Sequence, residues 1–218
     1  ALYLDATTSL TYFTGARFRQ SERLLGAVLP AEGEVAFICP AFEREKLLEG
    51  LRGQPVVHCW EEHESPYTLF GSVLSTMGIA GGVIGIDESA PFFLANGVQQ
   101  ANPRYRYCDA GAVTASCRMI KSAPELSLLQ RAKDMTLEIH KSAARILRTG
   151  ISTTEVTEFI NLAHQKVGAK SGSYFCIVLF GEASAYPHGV KHPQTLREGD
   201  MVLIDTGCQL EGYKSDIT

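Results

Sequence analysis

Two aspartates near the end of the 218-residue sequence have the type and spacing to do chemistry. Asp205 closes the run Met201-Val202-Leu203-Ile204-Asp205, and Asp216 follows eleven positions later in Gly212-Tyr213-Lys214-Ser215-Asp216. The apolar run reads as a buried strand that ends on a carboxylate. Burying such a group unpaired costs on the order of several kcal/mol, so a cation or metal must neutralise it. A hairpin turning near Leu210-Glu211 places Asp216 across from Asp205, and directly opposed Cβ atoms lie about 4.5–5.5 Å apart. That suits two carboxylates sharing a pair of divalent ions about 3.5–4 Å apart. Two other readings stay open: a strand-end Asp205 that caps backbone amides, or a hairpin with two solvated acids.

The remaining chemistry-bearing residues point elsewhere. His58-Cys59-Trp60-Glu61-Glu62-His63-Glu64 lacks the spacing that puts two histidines on one helical face, and reads as a solvated acidic loop. The glycines of residues 78–85 precede a strand, the reverse of a phosphate cradle, and read as a turn. His140 and His164 fall on helices beside polar neighbours and read as exposed. Cys176 and Cys208 read as small buried residues. No Gly-x-Ser-x-Gly elbow occurs, which leaves a serine hydrolase unsupported.

The elements that must position the aspartates follow from periodicity. Short β-branched or aromatic runs predict strands over 2–4, 24–29, 35–39, 56–60, 83–87 and 105–109. Helices are predicted over 42–51, 67–77 and 91–99, the last two with Ser near the N-cap and Pro just inside. Alternating β and α with short links is an α/β layer pattern. The character changes between Ser116 and Ser122. Ser122 with Glu125 fits a capping box, and Leu128, Ala132, Met135, Ile139, Ala143 and Ile146 then form one helical stripe. Gly150 ends that helix. Ser152 with Glu155 opens a second, antiparallel one, striped by Val156, Phe159, Ile160, Ala163 and Val167. Strands over 174–180, 201–206 and 213–217 complete the pattern.

Composition sets the outer limits. Hydrophobic residues make up 45% and charged residues 20%, which is globular and not disordered. No apolar run approaches the roughly 20 residues a bilayer span needs, so no membrane role is expected. The net charge of -4 and the lack of a basic stripe argue against nucleic acid as a partner. Six scattered cysteines without a CxxC pair suggest reduced thiols in a cytoplasmic protein. The start, Ala1-Leu2-Tyr3-Leu4-Asp5, reads as the middle of a strand with sequence missing before it.

Four segments resemble a known family. Asp205-Thr206-Gly207, then Gly212-Tyr213-Lys214-Ser215-Asp216-Ile217-Thr218, is similar to the signature of the pita-bread metallopeptidases, which include Xaa-Pro aminopeptidases, prolidases and creatinase. Leu10-Thr11-Tyr12-Phe13-Thr14-Gly15 resembles the family's N-terminal segment. Lys121-Ser122 with Glu125, Leu129 and Ala132 resembles its linker and first catalytic-domain helix. Ala185-Tyr186-Pro187-His188-Gly189 resembles its substrate-histidine loop.

The resemblance covers nearly the whole chain and implies an α/β N-terminal domain with a mixed sheet over residues 1–118. The start of an α+β pita-bread catalytic domain follows over 119–218. Asp205 would hold one divalent ion and Asp216 would bridge two, with Mn favoured by an all-carboxylate bridge and Co or Zn as alternatives. His188 would help hold the scissile carbonyl. The implied reaction is metal-assisted hydrolysis of the bond before a proline in the second position, by a homodimer. The family's third ligand, a His, its two Glu ligands and its general-base Glu all lie beyond the Asp-Ile-Thr motif. The 218 residues alone are therefore expected to be a truncated, inactive piece. The competing reading is a creatinase-like or non-catalytic relative acting as a peptide-binding or oligomerisation module.

Overall fold

The structure, a computed structural model, describes residues 1–218. The chain divides into two compact units, Ala1–Ile120 and Lys121–Thr218.

The first unit is a six-stranded mixed sheet. Its strands are β1 (Leu2–Asp5), β2 (Gly26–Leu29), β3 (Ala36–Pro40), β4 (Val56–Trp60), β5 (Val83–Ile86) and β6 (Arg106–Asp109), in the order β4-β3-β2-β1-β5-β6. Strand β2 runs antiparallel to β1 and β3, whereas β1, β5 and β6 are mutually parallel, as are β3 and β4. Alternation along the strands fills two cores, one on each face. Tyr3, Val28, Ile38 and Ile84 pack with Phe70, Val73 and Leu74 of α3 (Pro66–Thr76) and with Leu94 and Val98 of α4 (Phe92–Ala101). Leu4, Ala27, Phe37 and Cys39 pack with Leu10 of α1 (Thr8–Thr14) and Leu47 of α2 (Arg44–Gly50). Helix α5 (Gly111–Met119) follows β6. Neither α1 nor α5 was signalled by the sequence pattern, because both are short and carry no long apolar stripe.

Two acids are buried in this unit, Asp5 and Asp87, and both are satisfied. Asp5 accepts from the Tyr3 hydroxyl at 2.9 Å and from Gln20 at 2.8 Å. Asp87 accepts from the Thr7 hydroxyl at 2.6 Å and the Ser89 amide at 2.9 Å.

The second unit packs two antiparallel helices, α6 (Ala123–Ile146) and α7 (Thr153–Lys166), on one face of a three-stranded antiparallel sheet. The strands are β7 (Ser173–Phe180), β8 (Val202–Leu210) and β9 (Tyr213–Lys214) in that order. Both capping boxes form: the Ser122 amide donates to Glu125 Oε2 at 2.7 Å and the Ser152 amide to Glu155 Oε2 at 2.9 Å. Ile139, Ala143, Val156 and Ile160 meet Val178 and Phe180 of β7, with Val202 and Ile204 of β8 at the margin. Even-numbered residues of β8 thus face the helices, and its odd-numbered residues, Asp205 among them, face away. The expected strand over 213–217 shortens to two residues, continued by a single bridge between Thr206 and Ile217. No helix in the chain is long and apolar enough to cross a membrane.

Candidate metal centre

The β8–β9 turn decides how the two aspartates meet. Leu210 pairs with Tyr213 and Gln209 with Lys214, which leaves Glu211 and Gly212 as a two-residue turn. Their φ values of 50° and 94° are both positive, as a type I′ hairpin turn demands. The Thr206–Ile217 bridge keeps the same register, so Asp216 lies opposite Gly207. A turn at Leu210-Glu211 would instead have set Asp216 directly opposite Asp205. The observed turn lies one residue later and slides the pairing by two positions. Side-chain facing has a period of 2, so that slide preserves the face. Asp205 and Asp216 are therefore diagonal neighbours on one face of the ribbon, Cα atoms about 7–8 Å apart, and not a directly opposed pair.

Gly207 makes room between them. A Cβ there would sit 1.9 Å from the Ser215 carbonyl oxygen and 2.8 Å from a ring carbon of Tyr174. Tyr174 comes from a bulge in β7, between Ser173 and Phe175. Its hydroxyl donates to Asp216 Oδ2 at 3.4 Å, and Lys214 Nζ lies 4.7 Å from its ring centroid. Partial burial pushes the Tyr174 phenol pKa up, and the charges of Asp216 and Asp205 push the same way. The ring thus feels both carboxylates. Tyr174 was not singled out by the sequence; an aromatic able to cover the glycine between two acids is the signal that marks it.

Asp205 gives the test of fit for a metal. Its Oδ1 is buried and has no hydrogen-bond donor, alone among the buried side-chain nitrogen and oxygen atoms of the chain. An orphaned acceptor of this kind costs about 1–3 kcal/mol, more when charged. A divalent ion bound there would supply what the fold withholds, and oxygen donors suit a hard one. The residues present fit such an ion in part: no group of three or more His, Cys, Asp or Glu side chains gathers anywhere in the chain. His188 is exposed in the turn after the short 3₁₀ segment Gly181–Ala185, between the backbone bonds Tyr186 N–H to Ala183 O and Gly189 N–H to Tyr186 O.

Comparison with known proteins matches residues 1–120 to the Creatinase/Prolidase N-terminal domain and residues 127–218 to Metallopeptidase family M24. The chain belongs to the creatinase/prolidase group of family M24. A Bacillus subtilis protein named as a candidate dipeptidase, YkvY, is 31% identical over 222 residues, which cover all of this chain and 60% of that protein. The solved dipeptidase PepE from Mycobacterium ulcerans superposes with a TM-score of 0.84 at 28% identity, over 99% of this chain and 57% of that one. A prolidase from Thermococcus sibiricus shares the fold, with a TM-score of 0.84 at 24% identity over 99% and 58%. The chain thus spans about 60% of the length of the M24 relatives it matches. The M24 match implies a divalent metal, and the N-terminal match adds only the fold of the first unit.

One expectation about this M24 unit needs correcting. His164 is not exposed but completely buried, and His140 is half-buried. The polar neighbours that suggested exposure lie on the outer face of α7, while partners for the ring arrive from α6 and β7.

Proposed function

We propose that the full-length protein is a metal-dependent exopeptidase of the Xaa-Pro aminopeptidase or dipeptidase type. The single observation that carries the reading is the donorless, buried Asp205 Oδ1 beside Asp216 on the same ribbon face. The M24 match and the dipeptidases among the similar proteins support the same class.

In this reading Asp205 and Asp216 would hold the divalent ions, with Mn the first choice for carboxylate donors and Co or Zn behind it. Bound there, the ions would supply Lewis acidity and a water ionised near neutral pH. This chain's own residues do the rest. The Tyr174 hydroxyl donates a modest bond to Asp216 Oδ2. His188, exposed in its loop, would donate a hydrogen bond to the carbonyl oxygen of the bond that breaks. The substrate is a peptide with proline in second place, the partner a second copy of the protein, and the compartment the cytoplasm, in keeping with six free cysteines. The 218 residues taken alone supply too few ligands for two metal shells, and we expect them not to hydrolyse peptides.

The test is turnover of Xaa-Pro and Xaa-Ala peptides by full-length protein reconstituted with Mn²⁺. Asp205→Asn and Asp216→Asn should each remove turnover, and the Xaa-Pro peptide should be preferred at least tenfold. Full activity in either variant contradicts the metal role. Equal rates on both peptides contradict the proline preference. Peptide binding without any turnover would put the binding-module reading first.

A further inference from the structure

The side of the ribbon that faces away from the proposed metal site is held by a chain of buried hydrogen bonds. His164 on α7 lies against Ile160 O at 3.1 Å through Nδ1, and Ser173 Oγ is 3.0 Å from the same nitrogen. A carbonyl oxygen can only accept, so Nδ1 carries the hydrogen. In a neutral ring Nε2 is then an acceptor, and the hydroxyl 3.1 Å from it, Thr136 on α6, must donate. Thr136 Oγ1 spends its hydrogen there and so accepts from Ser215 Oγ at 2.8 Å. Ser215 Oγ in turn accepts from the Cys208 amide of β8 at 2.9 Å. Ser215 Oγ also lies 3.3 Å from Cys208 O and Thr136 Oγ1 3.6 Å from Cys208 Sγ, both longer than the contacts along the chain, so its direction is set at the ring.

A second contact lies one helical turn on. His140, four residues after Thr136 and so on the same face of α6, sets Nε2 3.1 Å from Ile217 O. That carbonyl also accepts from the Thr206 amide at 3.0 Å. Ser215 and Ile217 are the two neighbours of Asp216. Helix α6 therefore grips the chain on both sides of the aspartate and leaves its carboxylate on the other face.

We propose that His164 is a positioning residue: as the neutral, Nδ1-protonated ring it orients Thr136, and Thr136 with His140 fixes the backbone from which Asp216 reaches the metal. The metal part rests on the function proposed above; the clamp itself does not. Orientation of a ligand by partners outside its own shell is a common way of tuning metal affinity, and loss of such a partner typically costs 10–100-fold.

The experiment uses full-length protein and four variants. Thr136→Val and His164→Leu remove a link, whereas Thr136→Ser and His164→Gln keep a hydroxyl and an acceptor in the same places. Mn²⁺ affinity is read from the EPR signal of free Mn²⁺, and hydrogen exchange is read on the segment 213–218 of the metal-free protein. Thr136→Val and His164→Leu should weaken Mn²⁺ binding at least tenfold and speed exchange at Ile217, while the two conservative variants stay within threefold of the wild type. Long-range ¹H–¹⁵N correlation on the metal-free wild type should show His164 with its hydrogen on Nδ1. A hydrogen on Nε2, or unchanged exchange in both disruptive variants, overturns the clamp. Faster exchange with unchanged Mn²⁺ affinity overturns the positioning role. If wild type takes up no Mn²⁺, the function proposed above falls and so does the positioning role, while exchange and the tautomer still decide the clamp.

Discussion

Tyr174 donates its hydroxyl hydrogen to Asp216 Oδ2 across 3.4 Å, from a bulge on the strand at the far side of β8. Three strands thus converge on one patch: β8 brings Asp205, the returning arm brings Asp216, and β7 brings the ring that covers Gly207 between them. At that length and with solvent nearby the bond is a modest one. Tyr174→Phe keeps the cover and loses the hydroxyl, so turnover on peptide substrate should fall about 2–5-fold, the equivalent of a bond worth about 0.5–1 kcal/mol. Steady-state kinetics of the full-length variant check it, with stability unchanged.

Gly207→Ala should be far more damaging. The new methyl would meet the Ser215 carbonyl at 1.9 Å, a backbone atom that cannot rotate away. The arm bearing Asp216 must shift, at a cost of about 1–3 kcal/mol for overpacking. Urea unfolding should show the lost stability, and Mn²⁺ titration a lost or much weakened site.

Asp205→Asn should raise the stability of the metal-free protein. The wild type buries a carboxylate oxygen with no donor; the amide leaves a donorless acceptor there but removes the charge, whose burial costs more than that of a neutral group. Saturating Mn²⁺ should reverse the order. A ligand at 100 times its Kd stabilises the wild type by about 2.7 kcal/mol and leaves the variant where it was. Thermal melts with chelator and with Mn²⁺ check both halves.

Burial holds the His164 imidazole below its ordinary pKa, against the Ile160 carbonyl and with a small contribution from His140. The unfolded chain titrates near 6.5. Below that pH the unfolded state takes up a proton that the folded state refuses, so stability is full above about 6.5 and is lost as pH falls toward the folded value. Urea midpoints measured from pH 7.5 down to pH 5 should show that loss. In His164→Gln this part of the slope should be missing.

How much of this was legible in the sequence depended on whether the deciding partner was near in the chain. Helices α6 and α7 and both capping boxes are written in local spacing, Ser122 to Glu125 and Ser152 to Glu155. The α/β layer followed from alternating β and α runs, and that its sheet is mixed followed from the family resemblance. Helix α1, rich in β-branched Thr, and helix α5, which begins on Gly111, have no comparable local signal. The turn was misplaced by one residue because Glu211 adopts a positive φ, a conformation that residue type rarely takes. The burial of His164 was hidden for a different reason. Thr136 and Ser173, which satisfy its ring, lie 28 and 9 positions away, and only the packing of α6, α7 and β7 brings them together.

The most direct measurement is a crystal structure of the full-length protein soaked in Mn²⁺, with anomalous scattering recorded at the manganese edge. Two peaks about 3.5–4 Å apart should appear, one of them within bonding distance of both Asp205 Oδ1 and the Asp216 carboxylate. A map with no peak at that patch, or one in which the two carboxylates contact separate, unlinked ions, would contradict the shared-metal account.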